Sequence, residues 1–540
     1  MTKTGRGSFA PFARPLVPVL FALLLPLAVL AQDVDPDTVD LGIRGAYQVG
    51  MAEPPLEPGT TLLAMTLDEA IERALENNLD VRSARLSPEM QEFSFRAARA
   101  AFNPTLSATT SLNSQTSQPT SQLDGGTQTT TDRQTLNLSV NQPVPWYGGQ
   151  FSTSFNNSRT STDNIFATRN PSYSSSLSLS YTQPLLSGRR IDNQRNQLRT
   201  QEVQREVSDL QLQNQIDNIA AQVRTAYWNL RSQIEQIEIQ ERNLAQARQL
   251  LENNRIRVRE GTMVEMELAQ AEAQVASAEQ ALLNAEIQWR TQELNFKRLL
   301  ASGAGDPIFQ ATINPSDLPE FEPQDVDIDA AIQNAMQYRP DLQQQYRQRE
   351  ISEMDLELTR DNARPNLNLT ASYSLQGVGG DLFQRDGLGG DPILVAPGGY
   401  RDGLSSIAGL EAPNLNLQLN FNYPLGTRAT ELNLERARLQ LRQNEMALES
   451  QELQITTEVT NAGMAVTNNF LQLEAARRSR EAAERAVEAE ITRFQVGAST
   501  NFQVVAAQDN LTSQRLSELR ATIDYMNAIA EFRRVQGLGH

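Results

Sequence analysis

The sequence predicts a doubled α+β fold in which long helical hairpins alternate with sets of amphipathic strands. Three observations carry that reading. From Gly188 to about Leu300 there is no Pro and one internal Gly, Gly261, in a stretch filled with Ala, Gln, Glu, Leu and Arg, all strong helix formers. After Pro104, and again after Pro365, the apolar residues change to a period of two, as on a strand with one dry face. A helix motif also recurs: Leu67-Asp68-Glu69-Ala70-Ile71 returns as Ile328-Asp329-Ala330-Ala331-Ile332, and Asp68 and Asp329 lie 261 residues apart, as do Pro104 and Pro365.

In chain order, residues 1–31 read as a signal peptide cleaved after Ala31. Lys3, Arg6 and Arg14 precede an apolar run from Leu16 to Ala31 that Pro18 and Pro26 interrupt. Residues 32–61 are acidic, Pro-rich and aperiodic and read as a flexible leader. Asp33, Asp35 and Asp37 alternate like calcium ligands, as do Asp325, Asp327 and Asp329. Neither set has the Gly and Glu that such a loop needs, so no metal site is assigned. The second set instead places negative charge at a helix start.

Residues 62–302 form the first repeat: a helix, strands over about 104–184 and a helical hairpin over about 188–301. Its arms meet at Gly261, and Ile234, Ile237, Leu244 and Leu251 face Leu268, Val275, Leu282 and Trp289 at the spacing of a coiled seam. Ala269, Ala271, Ala276, Ala278, Ala281 and Ala285 permit close approach of neighbouring helices. Four strands are expected, near Pro104–Ser114, Thr135–Gln142, Gln150–Arg159 and Ser174–Gln183, with a turn at Pro145-Trp146-Tyr147-Gly148-Gly149. A Pro- and Gly-rich linker, 303–325, carries a short strand near Ile308–Ile313. The second repeat, 326–538, has strands over about 365–424, joined by a Gly-rich loop of little period, and a hairpin over about 426–536 that turns at Gln495–Ser499.

Composition narrows the chemistry. Net charge is −18 and the isoelectric point near 4.8, so the basic footprint of a nucleic-acid binder is missing. There is no Cys, and the one His is His540, which removes thiolate metal sites, Cys nucleophiles and His-dependent triads. No catalytic residue, metal ligand or cofactor is assigned, and the chain reads as no enzyme.

The strands describe two environments. Leu136, Leu138 and Val140, Leu177, Leu179 and Tyr181, Leu367 to Leu375, and Leu415 to Tyr423 alternate with Ser, Thr, Asn and Gln. A soluble sandwich would bury the apolar face in protein, whereas an outer-membrane barrel turns it to lipid and keeps a polar lumen. The polar faces suit a water-filled lumen, and Trp146, Tyr147, Tyr181 and Tyr423 stand near strand ends as in an aromatic belt. Four to six strands cannot close such a barrel, and open edges are not tolerated in hydrocarbon, so several copies must share one.

With these motifs in place, the chain resembles the TolC-type outer-membrane efflux proteins. The resemblance rests on Leu67-Asp68-Glu69-Ala70 with Asn77-Asn78, Gln183-Pro184-Leu185-Leu186 with Gly188, Ala226-Tyr227-Trp228, Arg339-Pro340-Asp341-Leu342, Ala363-Arg364-Pro365-Asn366-Leu367, and the two glycine turns. It implies a homotrimer, with a shared transmembrane β-barrel continued by a helical tube across the periplasm. It also implies a periplasmic adaptor at the tube tip and an inner-membrane transporter of the RND or ABC class. The implied role is a passive exit duct in efflux or type I secretion, with outer-membrane lipid around the barrel.

The same resemblance makes Gly261, Thr262, Met263, Gly497, Ala498 and Ser499 the adaptor-facing tips and Glu267, Phe494 and Gln503 the periplasmic gate. Phe494 stands where the best-known member of that family has a tyrosine, Ser499 where that member has an arginine latch, and Gln503 and Ala506 where it has acids. A different set of closing contacts is therefore expected. The added hairpin would raise three copies from twelve strands to eighteen. The alternative reading is a trimeric surface adhesin or stalk, which ordinarily carries one C-terminal barrel segment rather than two interleaved sets.

Overall fold

The computed structural model describes residues 52–55, 61–118, 127–317, 323–387, 390–423, 425–426 and 428–538. The expected signal peptide, the Asp33/Asp35/Asp37 set and Pro424 at the end of the last strand lie outside these residues.

The helical framework is written twice. In the first repeat α1 (Leu67–Asn77) and α2 (Leu79–Ala100) lead into strands, and the chain returns as α3 (Asn193–Arg259) and α4 (Glu265–Leu300). In the second, α5 (Ile328–Tyr338) and α6 (Pro340–Asn362) match α1 and α2 to within one residue in length. Each repeat's longest helix has 67 residues, roughly 100 Å at 1.5 Å per residue.

Local chemistry sets the boundaries. Thr66 and Glu69 form a capping box on α1, and Asp327 caps α5 by accepting from Ala330 N, so the second aspartate set does serve a helix start. Asn78 separates α1 from α2: its Oδ1 accepts from Asp80 N and Val81 N, and its Nδ2 donates to the Leu299 carbonyl at 3.0 Å. Arg339 does the corresponding work between α5 and α6, with ion pairs to Asp341 at 2.6 Å and Glu458 at 2.7 Å. The first long helix begins at Asn193 rather than Gly188 because Asp192 supplies its cap, accepting from Arg195 N.

Ten strands among the described residues complete the fold. β1 (Thr61–Met65) pairs in parallel with β6 (Ala311–Pro315), which follows a short 3-10 turn at Pro307–Gln310. The leader expectation therefore ends earlier than 61, and Ala52 is already buried, donating its N–H to Glu235 Oε1 at 3.1 Å. β2 (Thr105–Ser117), β3 (Thr129–Pro143), β4 (Gln150–Thr162), β5 (Ser172–Pro184), β7 (Asn366–Gly379) and β10 (Pro413–Asn422) form one sheet ordered β10-β7-β5-β4-β3-β2, every pair antiparallel. The Gly-rich loop holds a hairpin, β8 (Leu382–Arg385) with β9 (Pro392–Ala396), and a short helix α7 (Tyr400–Ala408) that the sequence pattern did not reveal. After β10 come α8 (Ala429–Gln495) and α9 (Asn501–Val535).

The seam of the first hairpin is as expected, with Ile234, Ile237, Leu244, Leu251 and Trp289 buried. Of the six alanines, Ala271, Ala278 and Ala285 recur every seven residues and are buried, whereas Ala269 and Ala276 are exposed. Four further residues on α8, Leu432, Leu439, Met446 and Leu453, also recur every seven residues and are all exposed. Leu79, Leu86, Met90 and Phe93 make a similar exposed stripe on α2. No helix among the described residues is long and apolar enough to cross a membrane.

Candidate functional site: the two-faced sheet and the hairpin tips

Strand register sorts the sheet into two chemically distinct faces. One cross-strand row reads Leu106, Val140, Thr153, Leu179, Tyr373 and Leu415, and the next reads Ala108, Leu138, Phe155, Leu177, Leu375 and Pro413. The row between them, on the opposite face, is Ser107, Ser139, Ser154, Ser178, Ser374 and Asn414. Hydroxyl pairs such as Thr182 with Thr370, 3.0 Å apart, run across the polar face. Because side chains alternate along a strand, a one-residue slip would invert both faces, so the pattern specifies the register.

The sheet ends abruptly on both sides. Among the described residues β2 and β10 each have a single neighbour, and both are exposed along their whole length. Leu106 is 72% exposed and Leu417 70%, so the apolar face is uncovered at both edges. Near the rim far from the helices, α7 lies against the apolar face. A Cβ on Gly377 would sit 1.9 Å from the Gly403 carbonyl oxygen, so only glycine admits the helix there.

At the other end of the molecule the two hairpins turn in the same way. Gly261 and Gly497 take φ values of +74° and +75°, which favour glycine, and Thr262 N and Ala498 N donate back to the carbonyls of Arg257 and Arg493 at 2.9 and 2.8 Å. Met263 packs on a small core of Leu250, Phe494, Val504 and Val505. The second turn is further tied by Ser499, whose hydroxyl contacts Glu490 and reaches Gln503 Oε1 at 2.8 Å.

The sequence-derived gate residues are dispersed among different roles. Glu267 lies half-buried in the first turn of α4. Phe494 is buried, with the Arg257 guanidinium 4.2 Å from its ring centroid. Gln503 is exposed and completes the capping box of α9 with Thr500. The contacts that join the hairpins near the tips also draw in residues the sequence reading did not single out: Arg257 against Phe494, and Asn254 paired with Asn501 at 3.0 Å. An amide inside an apolar seam was the available signal at Asn254. Among the described residues no three acidic or His side chains gather as a metal site.

A sequence model described as outer membrane efflux protein matches residues 150–302 and 331–538, two thirds of the chain and both repeats. The chain belongs to the outer membrane efflux protein family. That membership places it in the outer membrane as an efflux channel and not among enzymes. The family match begins at Gln150, the first residue of β4, so β2 and β3 lie outside it.

The fold is similar to solved outer-membrane channels. The CmeC outer membrane channel of Campylobacter jejuni superposes with a TM-score of 0.63 at 15% identity, covering 88% of this chain and 86% of that one. VceC from Vibrio cholerae gives 0.63 at 15% over 87% and 96%, and the open state of the Neisseria gonorrhoeae MtrE channel 0.58 at 18% over 92% and 96%. No individual curated protein matches the sequence.

Proposed function

We propose that three copies of this chain close one eighteen-stranded barrel and that their helices form a periplasmic tube, making a passive exit duct served by an inner-membrane pump and a periplasmic adaptor. The observation that carries the reading is the pair of open edges: β2 of one copy can pair antiparallel with β10 of the next, because six alternating strands leave those edges running in opposite directions. The exposed stripes at Leu432–Leu453 on α8 and Leu79–Phe93 on α2 give the neighbouring copy an apolar surface to cover. The Ser, Thr and Asn rows then line a hydrated lumen and the Leu rows meet lipid.

In this reading Gly261, Thr262, Met263, Gly497, Ala498 and Ser499 meet the adaptor, of an RND or ABC system. Glu267, Phe494 and Gln503 lie at the gate, and opening separates hairpins that Asn254–Asn501 and Arg257–Phe494 hold together. An adaptor that binds the separated form better would favour it. The protein mass of the particle extracted in mild detergent, corrected for bound detergent, tests the assembly: three chains support the shared barrel, and a stable monomer overturns it. Cysteines placed at Gln503 and at Glu267 of a neighbouring copy test the gate, since crosslinking that leaves export unchanged would refute its placement.

A further inference from the structure

Three pieces of backbone converge where the sheet meets the helices: the β3–β4 turn at Tyr147–Gly149, the segment Leu185–Asp192 between β5 and α3, and Arg364 just ahead of β7. They enclose a cavity of about 790 Å³ lined by Tyr147, Leu186 and four arginines, Arg189, Arg190, Arg195 and Arg364. The chain as a whole carries a net charge of −18, so four arginines about one cavity stand against its overall sign. Glu357 is the single carboxylate in the lining, and it pairs with Arg199 at 3.1 Å.

The arginines divide into two kinds. Arg195 is committed to structure: it pairs with Asp192 at 2.7 Å and donates to the carbonyls of Gly188 at 2.6 Å, Arg190 at 3.1 Å and Arg189 at 3.2 Å. Arg364 pairs with the buried Asp361 at 3.0 Å, and Asp361 also accepts the Gly188 N–H at 2.6 Å. These bonds fix the backbone of residues 188–190. Arg189 and Arg190 are exposed on that fixed backbone and have no carboxylate partner among the described residues; the Arg189 guanidinium lies 5.9 Å from the Tyr147 ring centroid.

The side of the sheet is also determined. Gln183 shares a strand face with Tyr181 and Leu179, and its Nε2 donates to the Tyr147 carbonyl at 2.7 Å, which draws the turn toward the apolar face. Trp146 and Tyr147 are 65% and 60% exposed there. β4, β5 and β7 are central strands, so pairing of the edges β2 and β10 leaves the site accessible. Amphipathic rings with arginines one turn beyond the apolar band match the level of lipid headgroups.

We propose that Arg189 and Arg190 bind the phosphate of a glycerophospholipid in the leaflet nearest the helices, with Trp146 and Tyr147 along its glycerol and Leu186 against its acyl chain. The inference rests on the sheet spanning the membrane. A guanidinium pair presents parallel N–H donors to phosphate oxygens, and the flanking apolar side chains favour a phosphate that carries acyl chains over a free one.

The test uses the full-length assembly in detergent, titrated with phosphatidylglycerol and followed by native mass spectrometry, with R189A/R190A, R189K/R190K and the far-rim control R401A. The expected result is one retained phosphatidylglycerol per chain in wild type and R401A, about 10- to 30-fold weaker retention in R189A/R190A, and partial recovery in R189K/R190K. Equal retention by wild type and R189A/R190A overturns the site, as does displacement of the lipid by equimolar inorganic phosphate. Flotation of the same proteins with vesicles separates the two readings: proteins that do not float refute the membrane-spanning sheet, whereas proteins that float and retain lipid equally refute only the lipid site. Should R189A/R190A not assemble, the lysine pair and R190A alone decide the matter, and undiminished retention in R190A overturns it.

Discussion

Asn254 on α3 donates its side-chain amide to Asn501 Oδ1 on α9 at 3.0 Å, across 247 residues of sequence, with both residues buried. Asn254 Oδ1 and Asn501 Nδ2 have no partner among the described residues. Buried amides satisfied only by each other tie the two hairpins together, and separating the hairpins hydrates both at once. Asn254→Ala leaves Asn501 buried without its partner, at a cost of about 1–3 kcal/mol. Its channels are expected to conduct more often than wild type in planar bilayers, and unchanged conductance would remove this pair from the closing contacts.

Phe494 anchors the same region through the Leu250, Val504 and Val505 core and the Arg257 guanidinium. Phe494→Ala is expected to lose about 3 kcal/mol locally. Faster proteolytic nicking at Val496–Thr500 and faster amide exchange in the last turn of α8 are the readouts, with the strand sheet unaffected.

Charge placed on the two faces of the sheet should act differently. Leu417→Arg puts a cation on the apolar face of β10 and should lower the yield of membrane-assembled particle, given about 2–4 kcal/mol for arginine at the bilayer midplane. Ser178→Arg, on the polar face, should assemble normally and reduce conductance. Equal yields for the two would contradict the assignment of faces.

The exposed α8 stripe gives a prediction about assembly. Leu439→Glu should shift the detergent-extracted particle toward single chains while leaving the helix content of each chain unchanged by circular dichroism. A particle mass equal to wild type would show that the stripe is not covered by a neighbouring copy.

Asp306 supplies a pH dependence. Burial opposes its charge, but N–H donors from Ser302 and Ile308, the Ser302 hydroxyl and Arg73 hold its carboxyl down at about 2, below the ordinary 3.8. A depressed folded-state value means the unfolded chain takes up the proton first, so the stabilisation is complete above the ordinary value and fades as pH falls from about 4 to about 2. Asp306→Asn should flatten that part of the acid unfolding curve, measured by urea midpoints across the window, and lower stability at neutral pH.

Much of the architecture was legible because it depends on periodicity. The second hairpin's return, Asn501–Val535, follows from its lack of helix breakers, and the strand alternation places Leu177 and Leu375 on one face before any pairing is known. What was hidden depends on tertiary contact. The helix α7 sits in a Gly-rich segment with little pattern because Gly377 and Gly379 admit its backbone, and the glycines that permit the contact also erase the periodic signal. At the tips, the resemblance gives Phe494 and Gln503 a place but not their contacts, a core of four side chains for the one and a capping box for the other. Asn254 was passed over because a polar residue in a seam declares its partner only when a helix 247 residues away arrives.

The parallel pairing of β1 with β6 joins Thr61 to Ala311, and Asp317 reinforces it by accepting the Leu67 N–H at 2.6 Å and the Tyr227 hydroxyl at 3.1 Å. A chain exported amino end first delivers Thr61 long before its partner strand exists. The start of the molecule must wait until residue 315 has crossed, and only then can its first strand dock. In the interval β1 is an unpaired strand, available to periplasmic chaperones and proteases. The β1–β6 pair thus makes closure of the first repeat depend on the linker that follows it, because Thr61 finds its partner Ala311 only there.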